Sequence, residues 1–201
     1  MINSRSDICE LAGWWARHPS DYVRPDDDDW EPVPFDLEPF SDPRSFAWWV
    51  NDGGASSPGR DMNCADCARA FELCWRGKPQ ISAALPPEHE GESPEQIESW
   101  LGRRLEDHTF ESIRERLASA GHGASAYIVV WWKEGGGRVA GGHAFNAVNW
   151  DGEVYWIDAQ PDTAIIEVWP PRAFPYSSEG YDESEVAETI AALFDKDGSA
   201  L

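Results

Sequence analysis

An α+β fold, with helices first and an antiparallel sheet after them, is what the sequence predicts, and three observations carry that prediction. Up to about residue 120 the apolar residues recur at helical spacing; after Gly121 to Gly123 the chain changes to short runs rich in β-branched and aromatic side chains. Between two of those runs lies Asp151-Gly152, a strong two-residue hairpin signal.

Residues 7 to 17 read as a short helix stopped by His18-Pro19. Residues 20 to 45 are rich in Pro and Asp, so residues 1–45 form an acidic linker or arm and 46–201 the domain proper. The run Asp26 to Asp29 reads as a solvated loop, since consecutive acids lack the alternating spacing of a calcium loop. A core helix is expected from Asn63 to Arg76, with Asn63 as N-cap, Asp66 in the acidic first turn and Gly77 as terminator; Cys64, Cys67, Ala68, Phe71 and Cys74 share one face. Pro94 opens a helical region to about Leu117, broken near Asp107 to Thr109. Strands follow at Ala126–Trp132, Ala144–Asn149, Val154–Asp158 and Thr163–Trp169, and a last helix is expected over Glu183 to Phe194.

With 41% hydrophobic residues and 12 Trp in 201 residues, the chain has the material for a buried core. Its net charge of −21 is spread along the sequence and repels phosphate backbones, which argues against nucleic acid or an anionic membrane as partner. No apolar stretch near Met1 forms a secretion signal and no run is long enough to cross a bilayer, so a soluble chain is expected. Cys9, Cys64, Cys67 and Cys74 are not spaced as a disulfide framework; reduced thiols are expected. His18, His89, His108 and His122 show no metal spacing, and no cofactor is implied.

Three segments carry chemistry: Asn63-Cys64 opening a helix, Gly142-His143-Ala-Phe145-Asn on one strand and Ile157-Asp158-Ala-Gln160 on the next. A helix N-terminus favours a thiolate at Cys64 and offers main-chain donors to an oxyanion. If Trp150 pairs with Glu153, paired residue numbers sum to 303, which sets Phe145 opposite Asp158 and His143 opposite Gln160. His143 and Asp158 then share a sheet face as diagonal neighbours, roughly 6 to 8 Å apart at Cβ, and a slip of one residue separates them. Cysteine on a helix, histidine on a strand and aspartate on the next strand is the papain and transglutaminase order of parts.

The pattern Trp49-Val50-Asn51, Asn63-Cys64 with Cys67, Arg76-Gly77, Gly142-His143-Ala-Phe-Asn-Ala-Val148 and Ile157-Asp158-Ala-Gln160 resembles the papain-fold toxin domain of glutamine deamidase type found in bacterial polymorphic toxins. The resemblance implies a papain-like α+β fold over about residues 46 to 170, with the cysteine in an N-terminal helical part and the histidine and aspartate in the sheet. It also implies an effector delivered by a specialised secretion route into a target-cell cytosol, a protein substrate whose glutamine becomes glutamate, and a cognate immunity protein. Cys64 is then the nucleophile, His143 the base and Asp158 its orienting carboxylate; the Cys64 main-chain N–H, Asn63 and Gln160 are the oxyanion or substrate-orienting candidates.

Three other readings compete. The same groups serve a cysteine protease or transglutaminase, which differ only in leaving and accepting group. Metal or redox chemistry at Cys64-Ala-Asp-Cys67 fits poorly: a zinc deaminase needs His-x-Glu and Pro-Cys-x-x-Cys, while a thioredoxin-like motif follows a strand, and Ser56 to Asn63 reads as a loop. A catalytically silent binding module using paired tryptophans is opposed by the intact Cys, His and Asp.

Overall fold

The computed structural model describes residues 37–52, 54–85, 91–133, 139–172 and 186–201. The helix expected over 7–17, the Asp26–Asp29 run, Cys9, His18 and His89 lie outside the described residues. The chain divides into two compact units, the first comprising residues up to Arg103 together with Asp158–Ile165, the second Arg104–Ile157 and Ile166–Leu201.

In the first unit a 3-10 turn at Pro43–Ser45 leads into α1 (Ala47–Val50), and a loop through residues 54–63 leads into α2 (Cys64–Trp75). Phe46 stacks on Phe71 at 5.4 Å between ring centroids, and Phe40 meets Trp75 edge-on at 5.4 Å, so the buried face of α2 is held by aromatic contacts. As expected, α2 ends where Gly77 takes a positive φ of 74°. Asn63 occupies the N-cap position, yet its side chain makes no capping bond because it is engaged elsewhere. The first unit also holds α3 (Pro94–Leu101), opened by a reciprocal Ser93/Gln96 capping box and closed by Gly102.

In the second unit, α4 (Phe110–Ala120) starts at a Thr109/Ser112 capping box and packs its buried Phe110, Ile113 and Leu117 toward the sheet. The break in the helical region thus runs from Gly102 to Thr109 and contains the short strand β1 (Glu106–Asp107). The remaining strands are β2 (Ser125–Lys133), β3 (Val139–Trp150), β4 (Glu153–Asp158), β5 (Ile165–Val168) and β6 (Val186–Phe194), in the order β1-β6-β2-β3-β4-β5 with antiparallel ladders.

The last helix expected over Glu183 to Phe194 is instead β6 across its described part. Its Glu and Ala are good helix formers, but pairing overrides that preference: eight residues of β6 pair with β2 from Ser125↔Phe194 to Trp132↔Val186, which fills the second edge of a buried strand.

Candidate active site

Asp151 and Gly152 both take positive φ, 51° and 89°, the conformation of a type I′ turn. His122 steadies the turn by accepting the Asp151 N–H at Nδ1 (3.1 Å). The β3–β4 ladder then runs from Trp150↔Glu153 to Asn146↔Ile157, the register that sums to 303. It stops there. The expected pairing of His143 with Gln160 is not in the ladder, since β4 ends at Asp158 and the next residues bond to loops of the first unit instead.

His143 is buried in β3, paired with Val130 of β2. Its ring lies 5.9 Å from that of Phe145, two residues on and so on the same face of the strand. Phe145 in turn meets Trp156 edge-on (6.2 Å) and Trp169 (6.4 Å), and the Trp169 indole N–H donates to the Phe110 carbonyl at 3.0 Å. The Gly-His-Ala-Phe motif therefore has a packing reason: an aromatic stack sets the imidazole plane. A Cβ at Gly142 would come within 3.1 Å of the Val130 carbonyl and 3.2 Å of the Trp131 indole nitrogen, so the glycine leaves room for a neighbouring side chain.

Cys64 is the first residue of α2 and is half-buried, whereas Cys67 and Cys74 are buried; all three are thiols. Burial pushes the Cys74 thiol up to about 12, and raises that of Cys67 well above its ordinary value, because a thiolate there would lose its water. Of the three, the helix start presents Cys64. The loop before it is tightly constrained: Gly59 has a φ of 72°, and a Cβ there would meet the Leu85 carbonyl at 2.3 Å.

Asp158 and Gln160, both buried, belong to the same unit as Cys64. The Gln160 main-chain N–H donates to Asp158 Oδ1 (3.1 Å), and the Gln160 side-chain amide donates to the Asp61 carbonyl (2.9 Å). Asn63 Nδ2 is directed at three acceptors, Ala83 O (2.8 Å), Asn51 Oδ1 (3.0 Å) and Ser82 Oγ (3.2 Å). Two N–H groups cannot serve three acceptors and an oxyanion as well. Beneath them Asp66 accepts from the Ala83 N–H and pairs with Arg69, which also pairs with Glu92.

Asn51 and Arg60 are the residues whose part in this site sequence reasoning did not assign. Asn51 appears in the Trp-Val-Asn motif, but nothing local to it shows that it bonds to residue 160. Among the described residues no cluster of three His, Cys, Asp or Glu is placed to hold a metal ion, and no helix is long and apolar enough to cross a membrane.

A helix-borne cysteine and an antiparallel sheet that carries the histidine define a papain-like α+β fold. The chain belongs to the family described as papain fold toxin 1, glutamine deamidase, whose model matches residues 62–162, about half of its length. In three dimensions it is similar to the Salmonella effector SpvD, with a TM-score of 0.52 and 13% identity, over 94% of this chain and 98% of that one. At that identity the likeness concerns the fold alone. No curated protein sequence matches the chain.

Proposed function

We propose that the protein deamidates a glutamine side chain of a target protein, with Cys64 as nucleophile, His143 as base and Asp158 as the carboxylate that orients it. The observation that carries this reading is the family match over residues 62–162, which contains all three residues. It is supported by the place of Cys64, the one thiol of α2 that reaches the surface, at a helix start that favours its anion.

His143 takes the Cys64 proton, and the sulfur attacks the carboxamide carbon of the substrate. The tetrahedral oxyanion is held by main-chain donors at the start of α2. Collapse breaks the C–N bond as the imidazolium gives its proton to the departing nitrogen, and ammonia leaves a thioester on Cys64. Water, deprotonated by His143, attacks that thioester; the thiol leaves, takes the proton back, and the product is glutamate. Asp158 selects the tautomer of His143 and stabilises its charged form. In this scheme Asn63 orients the site rather than binds the oxyanion, since its amide N–H groups are already bonded within the protein, and Gln160 stays an orienting or oxyanion candidate.

The biological reading is an effector acting on a protein inside a target cell, countered by an immunity protein. Expression of the wild type beside Cys64→Ala in a susceptible cell tests it: the wild type is expected to arrest growth and the variant to be tolerated. Equal growth would sink it. Intact-mass analysis of proteins captured by Cys64→Ala and then treated with the wild type reports the chemistry, with a gain of about one dalton for deamidation, fragments for proteolysis and an added amine for transglutamination.

A further inference from the structure

Asn51 follows α1 and is 3% exposed. Its Nδ2 donates to the Gln160 carbonyl at 2.6 Å and to the Arg60 carbonyl at 3.2 Å. Its Oδ1 accepts from Asn63 Nδ2 (3.0 Å), Ser82 Oγ (3.0 Å) and the Arg60 guanidinium (3.2 Å). One buried amide therefore joins three separate stretches of chain: the approach to Cys64, the segment around Ser82, and the segment that follows Asp158.

A continuous line of hydrogen bonds runs through it. Asn63, which precedes Cys64, donates to Asn51; Asn51 donates to the Gln160 carbonyl; the Gln160 N–H donates to the Asp158 carboxylate. Resting on the assignment of Cys64 and Asp158 above, we infer that Asn51 is a positioning residue for catalysis, fixing the Asp158 carboxylate relative to the start of α2. A primary amide suits the position because it accepts on one side and donates on the other. Aspartate has the same shape and keeps the acceptor toward Asn63, Ser82 and Arg60, but sets an oxygen against the Gln160 carbonyl. Ser82 belongs to the same cluster without being a link in this line, and so separates positioning from general support.

The test is the pH profile of iodoacetamide alkylation at Cys64 in the full chain, read by mass spectrometry, with melting curves for each variant. Asp158→Asn is expected to move the profile to higher pH by about one unit, lowering the rate near neutrality about tenfold. Asn51→Asp is expected to move it the same way, and the double variant no further than Asp158→Asn alone. Ser82→Ala is expected to melt lower with the profile in place. Should Asn51→Asp not fold, Asn51→Ser, too short to span the same partners, takes its place with the same expectation. A wild-type profile in the Asn51 variant beside a shifted one in Asp158→Asn overturns the inference alone, as does an equal shift in Ser82→Ala. An unshifted Asp158→Asn profile overturns the assignment of Asp158, and the inference with it.

Discussion

The cluster behind Cys64 and the centre of the sheet are both buried, but they are held by different forces. In the sheet, β2 is laddered on both sides, and β2, β3, β4 and β6 supply apolar side chains such as Ile128, Phe145, Trp156 and Leu193, each at most 1% exposed. Behind Cys64, Asn51, Arg60, Asn63, Asp66 and Arg69 are also buried, and side-chain hydrogen bonds and ion pairs replace apolar contact. Apolar packing is non-directional and tolerates small shifts, whereas a hydrogen bond weakens steeply with angle. A site of the kind proposed, with a thiol and a carboxylate in one geometry, is better served by the second kind of core.

Truncation in each region gives the largest contrast. Trp156→Ala is expected to cost about 3–5 kcal/mol, the usual range for emptying a large aromatic site, and to leave Cys64 reactivity in whatever protein remains folded close to wild type. Asn63→Ala is expected to cost less, about 1–3 kcal/mol, from the acceptors of Asn51, Ser82 and Ala83 left without that donor, while depressing activity more. Chemical denaturation with an alkylation assay checks the pair. Equal effects on reactivity would mean that the polar cluster has no positioning role.

The same contrast explains what was legible in the sequence. The Asp151-Gly152 turn and the register that follows it were readable because a two-residue turn with positive φ at both positions is local chemistry. The glycine terminator of α2 and the proline that opens α3 were readable for the same reason, since both act within a few residues, whereas the end of α3 at Gly102 was not. β6 was not: Val-Ala-Glu-Thr-Ile-Ala-Ala-Leu-Phe has no strict alternation, and its conformation is decided by β2, more than fifty residues earlier. Cys64, His143, Asp158 and Gln160 stood out as reactive types in short motifs. Asn51, Arg60 and Ser82 did not, because their partners lie 9 to 109 residues away and an asparagine or serine is locally indistinguishable from a turn residue.

Among the thiols of α2 the contrast becomes one of pH. Cys74 has a folded value near 12 against an ordinary 9.0, and Cys67 is also raised, so both stay protonated in the fold while an unfolded chain ionises them. The folded state then holds more protons, and stability falls with rising pH: the contribution is complete below about pH 9 and is lost as pH climbs through the folded values, with a slope of about 1.4 kcal/mol per pH unit for each thiol. Iodoacetamide is expected to modify Cys64 in the native protein and the two buried thiols only in step with unfolding. Early modification of Cys67 or Cys74 would mean that the helix interior opens locally.

The smallest expected effect lies at an exposed edge of the first unit. Asp162 accepts from the Ser56 hydroxyl (2.6 Å) and the Ser56 N–H (2.8 Å), and those bonds hold its carboxyl below the ordinary 3.8. A depressed carboxylate stabilises the fold above its unfolded value, and the contribution is lost as pH falls through the lower folded one, so the window lies entirely in acid below about pH 4. Water and salt screen the pair, which keeps its weight in overall stability slight. Its use is local: it ties the loop around residues 54–57 to the segment that continues from Asp158 and Gln160. Ser56→Ala is therefore expected to raise the Asp162 titration in a carboxyl NMR experiment while the melting temperature at neutral pH stays near that of the wild type. An unmoved titration would show that the clamp does not form in solution, and that Asn51 and the Gln160 amide anchor the Asp158 segment without it.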